Sequence, residues 1–328
     1  MRFLRTAFCA SLIAIFCSWG FLAHRTINQL AIYELPNSIQ PFFYRYMDSL
    51  VKHSVRPDLR RNEDSTEDAK HYINFEFFGD SAAWKMPTNW EDAVKKYTKD
   101  SLLKHGYVSY HVIRMKDNLS RAFRNLDRDS IIFYAADLAH YIGDANVPLH
   151  STMNYDGQLT NQRGLHSLWE SMIPEIEITN YDLRSKHRAS YLKNPEQAIW
   201  NAVRESFVMV NEVLQKEKEA SVGFTDSTKY RVQLRRGREV KSYTSEFAKE
   251  YNKRLGNSIN KRLIQSANLV ADFWYTAWVD AGKPDLNKLL RPTMSKEEKE
   301  KCKQELKAFK KNRLLQKDLL IAKKGQTN

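Results

Sequence analysis

The sequence predicts an all-α fold, a single mainly helical domain, and three observations carry that expectation. Apolar residues recur at helical spacing through most of the chain, as in Pro41–Val51, where Phe42, Phe43, Tyr46 and Leu50 fall on one face. Strand-like alternation is confined to one stretch, Tyr230–Val232–Leu234. The composition is 42% hydrophobic and 28% charged, with 16 Tyr, 16 Phe and 7 Trp, which excludes a disordered or fibrous chain and suits a packed interior.

Taken in order, Ala23–Tyr33 is a helical pattern ended by Leu35–Pro36–Asn37, and Pro41–Val51 supplies a second. Residues 54–70 are polar, contain Pro57, Asp64 and Ser65, and read as an ordered loop; 79–89 is another irregular stretch. A long helix is expected over Ser101–Leu126, and Ser130–Ile142 resumes after a break at Asp127–Asp129. Asn154–Gly164, rich in Asn, Gly and Gln, excludes a regular element, and the helical segment after it is expected to stop at Pro174. Pro195–Leu214 is strongly periodic, and within 219–243 the alternating run with Arg236–Gly237 predicts a small hairpin. Phe247–Leu255 and Ile259–Val279 are helical, and a charged helix is expected over Lys296–Ile321.

The two ends differ from this body. Met1–Arg5 is basic and Thr6–Phe16 is an eleven-residue apolar run, too short to span a bilayer but suited to an export leader. The expected division is a leader over 1–18, a body over 19–290 and a basic tail over 291–328. Ser18 is the small residue wanted before the cut, whereas Phe16 is a poor −3 residue, and Ile15 and Phe16 argue against a lipoprotein at Cys17. A periplasmic or secreted chain without an integral membrane span is therefore expected. Cleavage leaves Cys302 as the last of three cysteines, which excludes an internal disulfide or a Cys-rich zinc knot. Net charge is +13, falling to +11 without Arg2 and Arg5; residues 296–328 hold eleven Lys/Arg against five Asp/Glu, or +6. Basicity is thus largely a tail property, favouring weak contact with anionic surfaces rather than a dedicated nucleic-acid groove.

The chemistry centres on HYIGDANVPLH. His140 and Asp144 are four apart and share a helix face; Pro148 ends the regular turn, so His150 can point back into the same cavity. Sixteen residues on, His166 and Glu170 repeat the spacing. Two helices each offering an imidazole with a carboxylate form the kind of set that holds buried metals in helical bundles.

These segments resemble the superfamily of bacterial zinc-dependent phospholipases C and fungal single-strand-specific nucleases. WGFLAH from Trp19 resembles its tryptophan-led mature N-terminus, with His24 at the nuclease-like spacing. Asp58 in RPDLRR and His71 in HYIN resemble the second marker, HYIGDANVPLH the central one, and HSLWE the fourth, its Glu170 being the phospholipase version. WYTAW at 274–278 with AGKP resembles the closing helix of bacterial members, and the likeness spans about 19–290. It departs at Asn74, where the family often has Asp.

The resemblance implies a cleft with three zinc ions, Zn2+. One would be held by Asp58, His71, His140 and Asp144, and a second by the Trp19 amine and carbonyl with His24, sharing Asp144. The third would be held by His150, His166 and Glu170. Such ligands hold zinc at ~2.0–2.2 Å. Asp58, Asp144 and Glu170 carry three negative charges against six positive, so the site would attract an anionic substrate unaided. The implied reaction is hydrolysis of a phosphate ester by metal-activated water, with Asp58 aiming the nucleophile. No GxSxG elbow or Walker loop competes.

A phospholipase C-like esterase ranks first and a single-strand nuclease second, so the substrate is a lipid headgroup or single-stranded nucleic acid. A non-catalytic zinc-stabilised binding protein and a tail-driven membrane-surface scaffold are the readings from other classes. A monomer is expected. Asp137, three before His140, either orients its ring through a hydrogen bond or serves the surface or a helix–helix contact; Asn154, Asn161 and Gln162 line the cleft, brace His166 or build the loop. His53, His105, His111 and His187 read as structural or solvent-facing. The basic cluster Lys229, Arg231, Arg235, Arg236, Arg238 and Lys241 reads as a solvated hairpin, and the tail stripe Leu306, Phe309, Leu314, Leu315 and Leu319 as packed on the body or frayed.

Overall fold

A computed structural model describes residues 21–235 and 238–324. The expected leader, Trp19 and the hairpin turn Arg236–Gly237 lie outside these residues. The described chain is all-helical apart from one hairpin, as expected. Its long helices are α1 (Phe21–Glu34), α2 (Val108–Arg124), α3 (Arg128–Ala145), α4 (Pro195–Ser221), α5 (Ser245–Leu255), α6 (Ser258–Asp280) and α7 (Lys296–Lys310).

Helices α2 and α3 form an antiparallel pair around the expected break. Leu126 turns with φ +51°, and the Asp127 carboxylate caps α3 by accepting from the Ser130 amide. Helix α1 lies against α6 and α3, so the helix bearing His24 meets the helix bearing His140 and Asp144 in the bundle centre. Large aromatics fill the space between: Phe43 stacks on Trp274 at 4.7 Å, and the Trp274 indole donates to the Ala135 carbonyl at 3.0 Å. Burying such rings supplies much of the folding drive, and the indole N–H is satisfied by a helix carbonyl.

The hairpin pairs Tyr230–Arg235 with Arg238–Tyr243, antiparallel, with Tyr230 opposite Tyr243. Tyr243 is buried against Phe247, whereas Val232 and Leu234 are exposed. Among the described residues, no helix is long and apolar enough to cross a membrane.

Several expected helices change at particular residues. Ser101–Leu126 is two helices, Lys99–His105 and α2, because Gly106 takes φ +94°. A Cβ there would stand 2.3 Å from the Tyr72 carbonyl oxygen, so only glycine admits the approach. Pro41–Val51 kinks at Tyr46 into Gln40–Arg45 and Met47–His53. The segment bearing His166 does not stop at Pro174. A π turn over Leu168–Met172, closed by the Ile173 amide on the Leu168 carbonyl, shifts the hydrogen-bond register ahead of the proline and the chain continues helical to Glu177.

The tail is also not one helix. Helix α7 ends at Lys310, and Asn312 turns with φ +52° while its side chain accepts from the Leu183 amide and donates to the Tyr181 carbonyl. The chain then returns to α1, where the Gln29 amide donates to the Leu319 carbonyl and accepts from the Ile321 amide. Phe309, Leu314 and Leu320 are buried there.

Candidate metal centre

The local chemistry of α3 sets the centre. His140 and Asp144 share one face, and α3 ends just beyond them, with the Asn146 and Val147 amides returning to the Gly143 and Asp144 carbonyls. Pro148 then starts a 3₁₀ turn, Pro148–Ser151, that aims His150 back. Its backbone is tied to the second motif: the Ile73 amide donates to the His150 carbonyl at 2.9 Å, and His150 Nδ1 donates to the His71 carbonyl at 2.7 Å. Two loops far apart in sequence thereby become one wall.

The imidazoles and carboxylates converge. His71 Nδ1 is 2.9 Å and His140 Nε2 3.3 Å from the same oxygen, Asp144 Oδ2, and the two nitrogens are 3.2 Å from each other. Asp58 Oδ1 stands 3.7 Å from His140 Nε2 and 3.9 Å from His71 Nδ1. His24 Nε2 is 3.4 Å from Asp144 Oδ1. On the other side, His150 Nε2 and His166 Nε2 are 2.8 Å apart, and Glu170 Oε2 lies 2.7 Å from His166 Nε2 and 3.4 Å from His150 Nε2. Glu170 also turns Oε1 to His24 Nε2 at 3.2 Å, so it faces two ligand groups. All expected ligands within the described residues come together; Trp19 lies outside them.

Hydrogen bonds fix which ring nitrogen faces inward. His140 Nδ1 donates to the Ser54 carbonyl at 2.8 Å, as His150 Nδ1 does to that of His71, leaving both Nε2 atoms turned to the cluster. Two imidazole nitrogens 2.8 or 3.2 Å apart need a proton or a metal ion between them, since two facing lone pairs would repel. Electrostatics agree. Burial alone would favour neutral groups, but Asp144 and Asp58 outweigh it and raise His140 to about 10. Asp144 with Glu170 likewise raises His150 to about 9. Despite burial, the facing histidines hold Asp144 and Glu170 well below the carboxylate range. This is a donor set built to retain positive charge, and its nitrogen and oxygen ligands fit zinc.

The cluster opens into a cavity of about 710 Å³, whose wall includes Phe21, Arg61, Tyr72, Asn74 and Tyr155. Asn74 thus lines the cavity. Arg61, which the ligand spacing did not point to, pairs with Asp68 and reaches within 3.8 Å of Asp58. Two further residues escaped sequence reasoning. A Cβ at Gly143 would fall 2.9 Å from His24 Nδ1, so the glycine in HYIGD lets α1 bring its imidazole in. Glu67 is fully buried behind His71. Its spacing of four before His71 was the available signal.

Asp137 does not orient His140. Both its oxygens are taken, by Arg56 at 3.1 Å and Arg60 at 2.9 Å, because those guanidiniums lie nearer than the ring, which turns to Ser54 instead. Gln162 binds Glu217 and the Leu214 carbonyl, and Asn154 holds its own loop through Thr160 and Leu159. His187 pairs with Asp272, His105 stacks on Phe77, His53 meets Ser49 and His111 packs edge-on to Tyr141.

Residues 19–273 match the S1/P1 nuclease family. The chain belongs to the S1/P1 nuclease family. No individual curated protein matches it. Among solved structures it is similar to the alpha toxin from Clostridium absonum, at 13% identity and a TM-score of 0.45. The similarity covers 82% of this chain and 66% of the toxin chain, just under two thirds of its length.

Proposed function

We propose that this S1/P1 nuclease family member is an exported zinc-dependent hydrolase that cleaves phosphodiesters of single-stranded nucleic acid. The observation that carries the metal reading is the pair of nitrogen–nitrogen approaches, His71 to His140 and His150 to His166, each sharing a carboxylate oxygen at the edge of one cavity. Family membership supports the reaction class. Single-stranded substrate is favoured by the wall: Phe21, Tyr72 and Tyr155 offer faces for stacking bases, and Asn74 offers a donor and an acceptor.

Asp58, His71, His140 and Asp144 would hold one zinc, and His150, His166 and Glu170 another. His24 and Asp144 would hold a third with the Trp19 amine, once the leader is cut after Ser18. Bound zinc supplies Lewis-acid charge and acidifies water. Asp58, half-buried between the His71–His140 pair and the cavity, accepts a hydrogen bond from the attacking water and aims it. Arg61, in the same turn of chain, meets a phosphoryl oxygen with its guanidinium, a fork suited to that geometry. The ring bonds to the Ser54 and His71 carbonyls keep His140 and His150 in the tautomer that presents Nε2. The catalytic body is taken as 19–290, acting as a monomer, with 291–328 a basic extension that meets anionic surfaces weakly.

Glu170 favours a second reading, a phospholipase C-like esterase acting on lipid headgroups, because HSLWE carries glutamate at that position. The two separate in parallel assays of the zinc-loaded protein on single-stranded DNA and a phosphatidylcholine analogue. Cleavage of DNA alone is expected; cleavage of the lipid alone overturns the nucleic-acid reading, and no turnover of either overturns the enzyme reading.

A further inference from the structure

His71 differs from its neighbours in what stands behind it. His140 and His150 rest their outward nitrogens on backbone carbonyls. His71 turns Nδ1 inward, and its outward Nε2 has no hydrogen-bond partner apart from a carboxylate oxygen 3.5 Å away, Glu67 Oε1. Glu67 is fully buried and held from every side. Arg60 donates to both its oxygens at 3.1 and 3.2 Å, Lys70 to Oε2 at 2.6 Å, and the Tyr141 hydroxyl to Oε1. Tyr141 also packs edge-on to the His71 ring at 5.3 Å.

We propose that Glu67 is the positioning residue of this centre, a buried carboxylate that fixes the His71 ring with Nδ1 toward the cluster and strengthens it as a ligand. The inference rests on the zinc reading above. A carboxylate that served only to neutralise Arg60 and Lys70 would have no reason to point an oxygen at an imidazole. Glu67 reaches His71 because it sits four residues earlier, just ahead of a one-turn 3₁₀ helix, Asp68–Lys70. Arg60 ties the carboxylate to α3 as well, donating to Asp137 and to Tyr141. The rigid frame therefore extends from the second-motif loop to the helix carrying His140. A carboxylate behind a ligating imidazole typically accounts for a 10–100-fold difference in metal affinity.

The experiment measures zinc stoichiometry and dissociation constants by chelator competition, with thermal melts of the zinc-free protein, for wild type, E67Q and Asp137→Asn. Asp137→Asn removes a charge from the same frame without facing His71. E67Q should bind one of three ions roughly 10–100-fold more weakly and leave the other two unchanged, whereas Asp137→Asn should lower the melt alone. Unchanged affinity for all ions in E67Q, whatever its melt, overturns the proposal. Should E67Q fail to fold, Glu67→Asp decides, since it keeps the charge but draws it back from the ring: weaker binding of one ion is expected, and wild-type affinity overturns. A wild-type protein that takes up no zinc sinks the metal reading and this inference together. Three ions in wild type with E67Q equal to it sink the inference alone.

Discussion

The pairs His140/Asp144 and His166/Glu170 have the same four-residue spacing and stand in different surroundings. The first lies inside α3, in the bundle centre, where His24, His71 and Asp58 arrive from three other segments. The second lies on a short helix loosened by a π turn at the cavity rim, where the His166 side chain is 28% exposed. Spacing brings an imidazole and a carboxylate onto one face in both cases. Burial and the number of converging elements decide how much of the centre depends on each.

The largest expected effect tests that contrast. His140→Ala should cut phosphodiesterase activity by at least ~100-fold, more than loss of a supporting residue would, with at least one zinc lost by metal analysis. His166→Ala should lose one zinc and leave the buried group loaded. Greater zinc loss from His166→Ala than from His140→Ala would break the comparison, and a folded, fully active His140→Ala would remove the catalytic assignment.

Next comes pH. Histidine titrates near ~6.5 in an unfolded chain, whereas His140 is raised to about 10 and His150 to about 9 in the fold. Their contribution to zinc-free stability is complete below ~6.5 and fades as pH climbs through 9 to 10. Asp144 and Glu170 are held low, so their contribution is present above the ordinary carboxylate range and fades in acid. Zinc must displace protons from the imidazoles, so its affinity rises over the same interval. Melts from pH 6 to 9 should show the zinc-free protein losing stability while the gain on adding zinc grows. A zinc-induced gain that shrinks with pH contradicts the assignment of these rings as ligands.

The smallest effect sharpens the buried side. Alanine for glycine in a helix interior ordinarily gains ~1 kcal/mol, but Gly143→Ala drives a methyl to 2.9 Å from His24 Nδ1. Overpacking of that kind costs ~1–3 kcal/mol. A net loss of stability with weakened zinc binding is expected; a stabilised variant with full zinc content would show that His24 has room to spare.

Much of this was legible beforehand because helix and ligand spacing are local. The expected segment Ala23–Tyr33 became Phe21–Glu34, and Ser130–Ile142 became Arg128–Ala145. Several of the departures lie where a distant group intervened. Tyr72 forces the break at Gly106 and the residues at 181–183 draw Asn312 out of the tail helix, while two arginines decide the open question of Asp137. None of these partners lies within a helical turn of the residue it governs.

The sequence by itself determined the helical periodicity and the chemical identity of the two imidazole–carboxylate pairs, since both follow from backbone geometry over a few residues. Tertiary structure decided which nitrogens meet, that Gly143 admits His24, and that Tyr141 of α3 meets the Glu67 carboxylate behind His71. Those arrangements depend on how helices far apart in the chain pack side by side, and residue spacing along the chain does not encode that packing.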